Sequence, residues 1–533
     1  MAAIRTSDQR PPCCGGRCVS VCGEGRATQT KLQGPVPRLS KENLFTLLSL
    51  WMERFPKENP GGDVPDEDLE ADGRVLGLHC SGVELHAGQG AVLRHGARGL
   101  AGSQLYFSRR PCATCLKMVI NAGVSQVFFW PGDPEISVLR PGDSDPDLSP
   151  EARLDAAATE RLKANSRPPV CVSCLRPVDP GLSQYVDQTS RDSDFMERVQ
   201  EDQPGLDTDQ LQRRSHLQEL SAHFLVVSER RHRGVLAHLG VENLCLEPYF
   251  SSLRNTMQEL VELLASVSAG LPLLDHGFYS SEEHTAQTHT AGPSGKGVAE
   301  APGGPRSPGG PRSPGGPRSP AVSQEVARHC IIQAMLLAYR TEDPKVGVGA
   351  VIWAQGQSDG GEGTGRLYLV GCGYNAYPAG SQYAQFPQMD AKHPDPQWSK
   401  YRYILHAEQN AITFRSREIP VGAPSLLFVT KCPCDECVPL IRAAGLTHVF
   451  TSDQDSGKDK GEISYLRFRD LQGLTKATWQ KPPPADPHLT NGCVGKRRGS
   501  QGSHSDQECH DDKRLCGPVT PSPPPPPPPN PIC

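Results

Sequence analysis

The stretch "LHAEQNAITFRS" at 405–416, followed by "TKCPCDECVPLIRAAG" at 430–445, decides how this chain is read. Each segment opens a helix directly after a strand or loop, one with His406, the other with the Cys434/Cys437 pair. Working outward, "SLLFVT" (425–430) and "HVFTS" (448–452) read as strands. "VGVGAVIW" (346–353) and "LYLVGCG" (367–373) read as two more, joined by a Gly-rich turn. "EVARHCIIQAMLLAYR" (325–340) sets Val326, Cys330, Ile331, Ala334, Leu337 and Ala338 on one helical face. Helices alternating with strands predict an α/β fold, a three-layer α/β/α sandwich over 323–482.

A histidine and two cysteines at helix starts are chemically suggestive. Free N–H groups and the positive end of the dipole favour thiolates there. One imidazole and two thiolates give zinc three protein ligands, and a tetrahedral ion then keeps its fourth position open, the mark of a catalytic site. Glu408, two residues after His406, is placed to carry protons without ligating. A His-x-Glu paired with a downstream Pro-Cys-x-x-Cys is the known pattern of zinc nucleobase deaminases. A closed structural site would need a fourth protein ligand. Cys432 is the nearest candidate, and it reads better as the end of a strand.

The region 323–482 resembles the deoxycytidylate (dCMP) deaminase branch of the cytidine deaminase superfamily. The motifs that carry this are "RTEDPKVGVGAVI", "GCGYNAYP", "HAEQNAI" and "TKCPCDECVPLIRAAG". The resemblance implies zinc on His406, Cys434 and Cys437, a proton shuttle at Glu408, and Asn375 bonded to the sugar or base. Beside it stands the reading of Asn375 as a turn residue next to Gly373. Arg340, Thr341 and Lys345, around the first loop, are candidates for the substrate's phosphates, as are Arg402 and Arg415 more weakly. Simple solvation is the competing reading for all of them.

An earlier copy of the pattern carries a gap. "LHAGQG" (85–90) and "PCATC" (111–115) supply His86, Cys112 and Cys115, but Gly88 stands where the acid-base residue falls. "QLYFS" (104–108) and "QVFFW" (126–130) read as strands, with a helix between them ending at Gly123. The expectation is a second three-layer module over 37–170 that keeps a structural zinc and has lost its chemistry. Glu84 as a substitute carboxylate lies before the helix and points elsewhere by alternation.

The rest of the chain bounds these readings. Hydrophobic residues make up 36% of 533, aromatics 6%, with 53 Gly and 51 Pro, so much of the length cannot be packed core. Residues 1–36 read as a disordered tail, 171–280 as a mostly helical extension, 281–322 as a linker carrying "GGPRSP" three times, and 483–533 as a Pro-rich disordered tail. Within the extension, "HFLVVSERRHRGVLAHLG" reads as a strand and then a helix. The 19 cysteines, with no apolar leader, read as reduced thiols. Cys13, Cys14, Cys18 and Cys22, and the "CVSC" pair at 171–174, read as thiols without a metal.

A formal charge of −5 argues against a polynucleotide partner, and no apolar run predicts a membrane span. The partner expected is a free cytosine nucleotide, dCMP or dCTP, or the nucleoside. A homo-oligomer is expected by analogy with the superfamily. Against this stand a polynucleotide-editing deaminase, which could use the aromatics of "YNAYPAGSQYAQF", and a non-catalytic zinc scaffold. The cytoplasm is the expected location. Nuclear entry would follow if Lys496-Arg497-Arg498 and Lys513-Arg514 act as an import signal rather than a solvated tail.

Overall fold

The computed structural model describes residues 2–5, 38–56, 75–81, 86–135, 150–166, 175–191, 208–271, 276–280, 322–343, 346–356, 367–378, 400, 403–451, 455–460 and 463–480. The cysteines at 13–22 and 171–174, Glu84, Lys345, Arg402 and the basic pairs beyond 483 lie outside them.

The first sheet has the order β2-β1-β3-β4, formed by Val75–Leu78 (β2), Ala2–Arg5 (β1), Ser103–Phe107 (β3) and Gln126–Phe129 (β4). β1 is antiparallel to both neighbours, whereas β3 and β4 are parallel. The presence of β1 corrects the reading of residues 1–36 as tail throughout. Four residues without alternation carry no local strand signal; backbone pairing on both sides makes this strand. Helices α2 (Ala87–Leu100, kinked at Gly96 with φ +57°) and α3 (Ala113–Asn121) follow β2 and β3.

The second sheet runs β5-β10-β9-β8-β6-β7, with Gly277–Ser280 (β5), Gly349–Gln355 (β6), Leu367–Tyr374 (β7), Ser425–Val429 (β8), His448–Thr451 (β9) and Thr475–Gln480 (β10). β8, β9 and β10 are mutually parallel, while β6, β7 and β5 run antiparallel to their neighbours. β5, which precedes the "GGPRSP" repeats in the chain, forms this sheet's edge.

Alternation along β6–β8 sorts side chains onto two cores. Val351, Trp353, Leu369 and Phe428 face one side; Ala350, Ile352, Val370, Leu427 and Val429 face the other. The first side is covered by α9 (Gln324–Ala338). The second is covered by α10 (Ala407–Thr413) and α11 (Cys437–Ala443), the helices opened by the candidate ligands. This is the expected three-layer α/β arrangement. Glycines permit its tightness: a Cβ on Gly373 would stand 2.2 Å from the Ala407 carbonyl, and one on Gly349 1.9 Å from that of Ala334.

The first core does not stop at one sheet. It continues through α9 into α1 (Lys41–Met52) and α8 (Tyr249–Ala269), and on to the first sheet. Leu39 N–H donates to the Tyr339 carbonyl at 2.9 Å. Gln333, fully buried, accepts from Trp353 Nε1 at 3.0 Å and donates to Met52 Sδ at 3.2 Å. The other α-helices among the described residues are α4 (Pro150–Asn165), α5 (Leu182–Arg191), α6 (Thr208–Phe224) and α7 (Glu229–His238), together with the five-residue α12 (Leu466–Asp470). The strand expected between α6 and α7 is absent. Instead, the carbonyls of Val226 and Val227 accept from the Arg254 guanidinium at 2.9 and 3.3 Å, so this backbone needs no sheet partner. Among the described residues no helix is long and apolar enough to cross a membrane.

His329 marks the seam between α1 and α9. Its ring stacks on Trp51 at 4.7 Å and meets Phe55 edge-on at 4.7 Å. Burial, aided by the Arg54 charge, pushes its pKa from the usual 6.5 down to about 3. A depressed histidine is neutral in both states above pH 6.5 and costs nothing there. Below 6.5 only the unfolded chain gains the proton, so stability falls as pH drops toward 3. The expected loss from His329 alone is about 2 kcal/mol between pH 7 and pH 5. Urea unfolding at the two pH values checks it, and His329→Leu should flatten the slope.

Candidate active site and its metal ligands

His406 sits at the N-cap of α10 in extended conformation, its backbone N–H donating to Gln409 Oε1 at 2.8 Å. The Gln three residues on closes the first turn and fixes where the imidazole leaves the chain. Cys434 and Cys437 come from the loop after β8 and the start of α11. Their Sγ atoms both lie 3.2 Å from His406 Nδ1, and one ligand atom from each residue falls within 4.8 Å of the others.

The donor set fits a thiophilic cation. Hydrogen bonding from Cys437 and then His406 draws the Cys434 thiol down to about 4, against burial. The same pairing, with burial, keeps the proton on Cys437. Burial pulls the His406 imidazolium down, yet Cys434, Glu408 and Glu436 together lift it to about 9. Two sulfurs and a nitrogen crowded around a retained proton are what zinc would relieve, with a neutral imidazole and two thiolates as its ligands.

Glu408 lies in the first turn of α10, 4% exposed, and burial lifts its carboxyl to about 7. It lines a cavity of about 240 Å³. Val346, Val348, Ile404 and Ile463 supply apolar walls; Asn375, Asp343, Lys431, Lys460 and Tyr465 add polar groups. His406 and Cys434 line the same space. The structure therefore brings His406, Glu408, Cys434, Cys437 and Asn375 together.

Arg340 and Thr341 do not line this cavity. Arg340 Nη1 donates to the Leu39 carbonyl at 2.7 Å, and Thr341 Oγ1 donates to Asn375 Oδ1 at 2.6 Å. Arg415 bonds Glu418 and the Ile412 carbonyl. Asn375 is more occupied than a turn residue would be. Its Oδ1 also accepts from Val348 N–H at 2.8 Å, and its Nδ2 donates to the Val346 carbonyl at 2.8 Å. Among the described residues, no partner takes its second amide hydrogen. Asn375→Ala is accordingly expected to cost about 1–3 kcal/mol by stranding these buried partners, and to raise KM as well. Urea unfolding beside steady-state kinetics would detect both; an unchanged stability would refute the bracing role.

Sequence reasoning missed Lys431, Lys460, Tyr465 and the buried Lys400–Asp343 pair, at 2.7 Å. Single charged residues in loops carry no signal of burial. Gln409 and Gln89 could have been found, since a Gln three residues after an N-cap is a recognisable helix start.

The first set repeats the design. His86 is the N-cap of α2, and its N–H donates to Gln89 Oε1 at 3.0 Å. Cys112 Sγ lies 3.3 Å from His86 Nδ1, and Cys115 joins them. Hydrogen bonding from Cys115 draws Cys112 to about 4. Position 88 is tight: a Cβ there would stand 3.0 Å from Cys115 Cβ and 3.2 Å from its Sγ, so a side chain would require these neighbours to give by a few tenths of an ångström.

Residues 323–452 match the family described as the cytidine and deoxycytidylate deaminase zinc-binding region. The chain is 51% identical over 465 residues to cytidine and dCMP deaminase domain-containing protein 1 of Danio rerio, covering 85% of this chain and 92% of that one. It is 35% identical over 144 residues to deoxycytidylate deaminase of Pongo abelii, covering 27% of this chain and 72% of that one. The crystal structure of dCMP deaminase from the cyanophage S-TIM5 aligns over 29% of this chain and 98% of its own, at 20% identity and a TM-score of 0.20. With identity above one half along nearly the whole of the zebrafish relative, the chain belongs to the cytidine and deoxycytidylate deaminase family.

Proposed function

We propose that this protein hydrolytically deaminates free cytosine nucleotides, dCMP or dCTP, at the site in 323–482, with zinc on His406, Cys434 and Cys437. The observation that carries the reading is a single cavity lined by His406, Cys434, Glu408 and Asn375. When bound, the ion would supply Lewis acidity toward a water in that cavity. Glu408 takes the proton from this water and delivers it to the ring nitrogen beside the amine-bearing carbon. That carbon accepts the water oxygen as a hydroxyl; Glu408 then takes the remaining hydroxyl proton and passes it to the amine, whose C–N bond breaks as the C=O bond forms. Oxygen ends on the ring, and nitrogen leaves as ammonia.

Asn375, braced by Thr341 and Val348, is positioned to offer its remaining N–H to the sugar or base. Lys431 and Lys460, the latter ion-paired with Asp455, also line the cavity and suit an anionic nucleotide better than a neutral nucleoside. Of the aromatics in "YNAYPAGSQYAQF", Tyr383 and Phe386 lie outside the described residues; Tyr377 is buried, and Tyr374 packs against the first core. This favours a free nucleotide over a polynucleotide.

The test is ammonia release from purified full-length protein. Nucleoside, mono-, di- and triphosphate forms of deoxycytidine are offered alongside single-stranded DNA. Release from free nucleotides is expected; release from DNA alone would replace this reading with the editing one.

A further inference from the structure

The first site differs from the second by more than a missing carboxylate. Glu135, in the segment after β4, reaches into the His86–Cys112–Cys115 set. Its Oε2 lies 3.4 Å from His86 Nδ1, and one ligand atom from each of the four residues falls within 4.8 Å of the rest. The position is built rather than casual. Glu135 N–H donates to the Arg110 carbonyl at 3.0 Å, which ties its loop to the chain entering Cys112. Its other oxygen, Oε1, accepts from Ser81 Oγ at 2.7 Å, and the same Ser81 Oγ accepts from Ala87 N–H at 3.1 Å, in the first turn of α2. One hydroxyl thus fixes the carboxylate relative to the helix that carries His86. The His86 and Glu135 side chains are 5% and 17% exposed.

We propose that Glu135 is a fourth metal ligand, making the first site a closed His–Cys–Cys–Glu centre. Sequence reading assigned three ligands there and left the fourth position undetermined. Among the described residues the second site gathers three such ligands, with Glu408 and a cavity beside them. Three ligands leave a tetrahedral ion one open position; four close it. The two sites have thus exchanged features. Where a carboxylate stands off the ligands at 408, the chain has Gly88, packed closely against Cys115. A different carboxylate, from the opposite end of the module, then takes the position a water or substrate would need. The metal becomes a clamp joining the starts of α2 and α3 to the end of β4. The inference stands whether or not the second site acts on cytosine.

The experiment uses the full-length chain with Cys434→Ser and Cys437→Ser, so that bound metal reports on the first site alone. Elemental analysis is expected to find one zinc per chain. Exchange to Co²⁺ should yield the visible bands of a tetrahedral ion with thiolate charge transfer, and azide should leave them unchanged. Adding Glu135→Ala should weaken retention against a chelator by more than the about 10–100-fold typical of losing an outer-shell partner, and should make the bands respond to azide. Ser81→Ala should weaken retention to a smaller degree. An azide response in the parent, absence of metal from it, or unchanged retention in Glu135→Ala would each overturn the proposal. Should the serine variants misfold, zinc release from the otherwise unaltered chain decides. Glu135→Ala should then speed the loss of one zinc of two and leave the other's rate alone; equal rates with and without it would refute the fourth ligand.

Discussion

Glu408→Gln is expected to lower kcat by about 10²–10⁴-fold, the range for loss of a positioned acid-base group, with zinc content unchanged. Glutamine keeps the length and shape of the side chain, so the packing of α10 should survive. It cannot accept and return a proton. Glu408 is buried in the cavity wall two residues from His406, so neither bulk water nor a mobile neighbour readily replaces it. Ammonia release and elemental analysis on one preparation separate the effects. Cys434→Ala, by contrast, should lose metal and turnover together, because it removes one of the two sulfurs that converge with His406 on the proposed zinc position. Near-normal turnover in Glu408→Gln would show that another residue moves the proton.

Lys400→Met should destabilise the fold by about 3–5 kcal/mol, since removing one partner of a buried ion pair leaves the other's charge uncompensated. Lys400 is 0% exposed and Asp343 3%, with Nζ 2.7 Å from Oδ1. The same Asp343 oxygen accepts from Val346 N–H at 3.2 Å, and Val346 accepts in turn from Asn375. The pair therefore underpins the cavity wall formed by Asp343, Val346, Val348 and Asn375. KM should rise along with the loss of stability. The double variant Lys400→Met, Asp343→Leu should recover most of the unfolding free energy, because neither charge then remains buried alone. A single variant as stable as wild type in urea would mean that this pair is well solvated after all.

How much of this was legible beforehand depends on the range of the interaction involved. His406, Glu408, Cys434 and Cys437 could be singled out because each motif is contiguous. Short spacing at a helix start fixes the direction of a side chain before any tertiary contact forms. The strands around them could be read from apolar runs bounded by turn residues. Arg340 and Thr341 illustrate the limit of that reading. Both occupy the expected loop, yet one bonds the Leu39 carbonyl and the other braces Asn375, because burial and not sequence position selects what faces a cavity.

What the sequence determined by itself was the chemistry available: two sets of imidazole and thiolates, one with a carboxylate two residues on and one with glycine. Tertiary structure alone decided which distant groups joined them. Ala2–Arg5 became a strand only because β2 and β3 offered ladders on both sides. Lys400 found Asp343, and Glu135 found His86, across long stretches of intervening chain. Such encounters leave no periodicity or spacing in the sequence, since they are set by the packing of layers and not by the geometry of any one helix or strand.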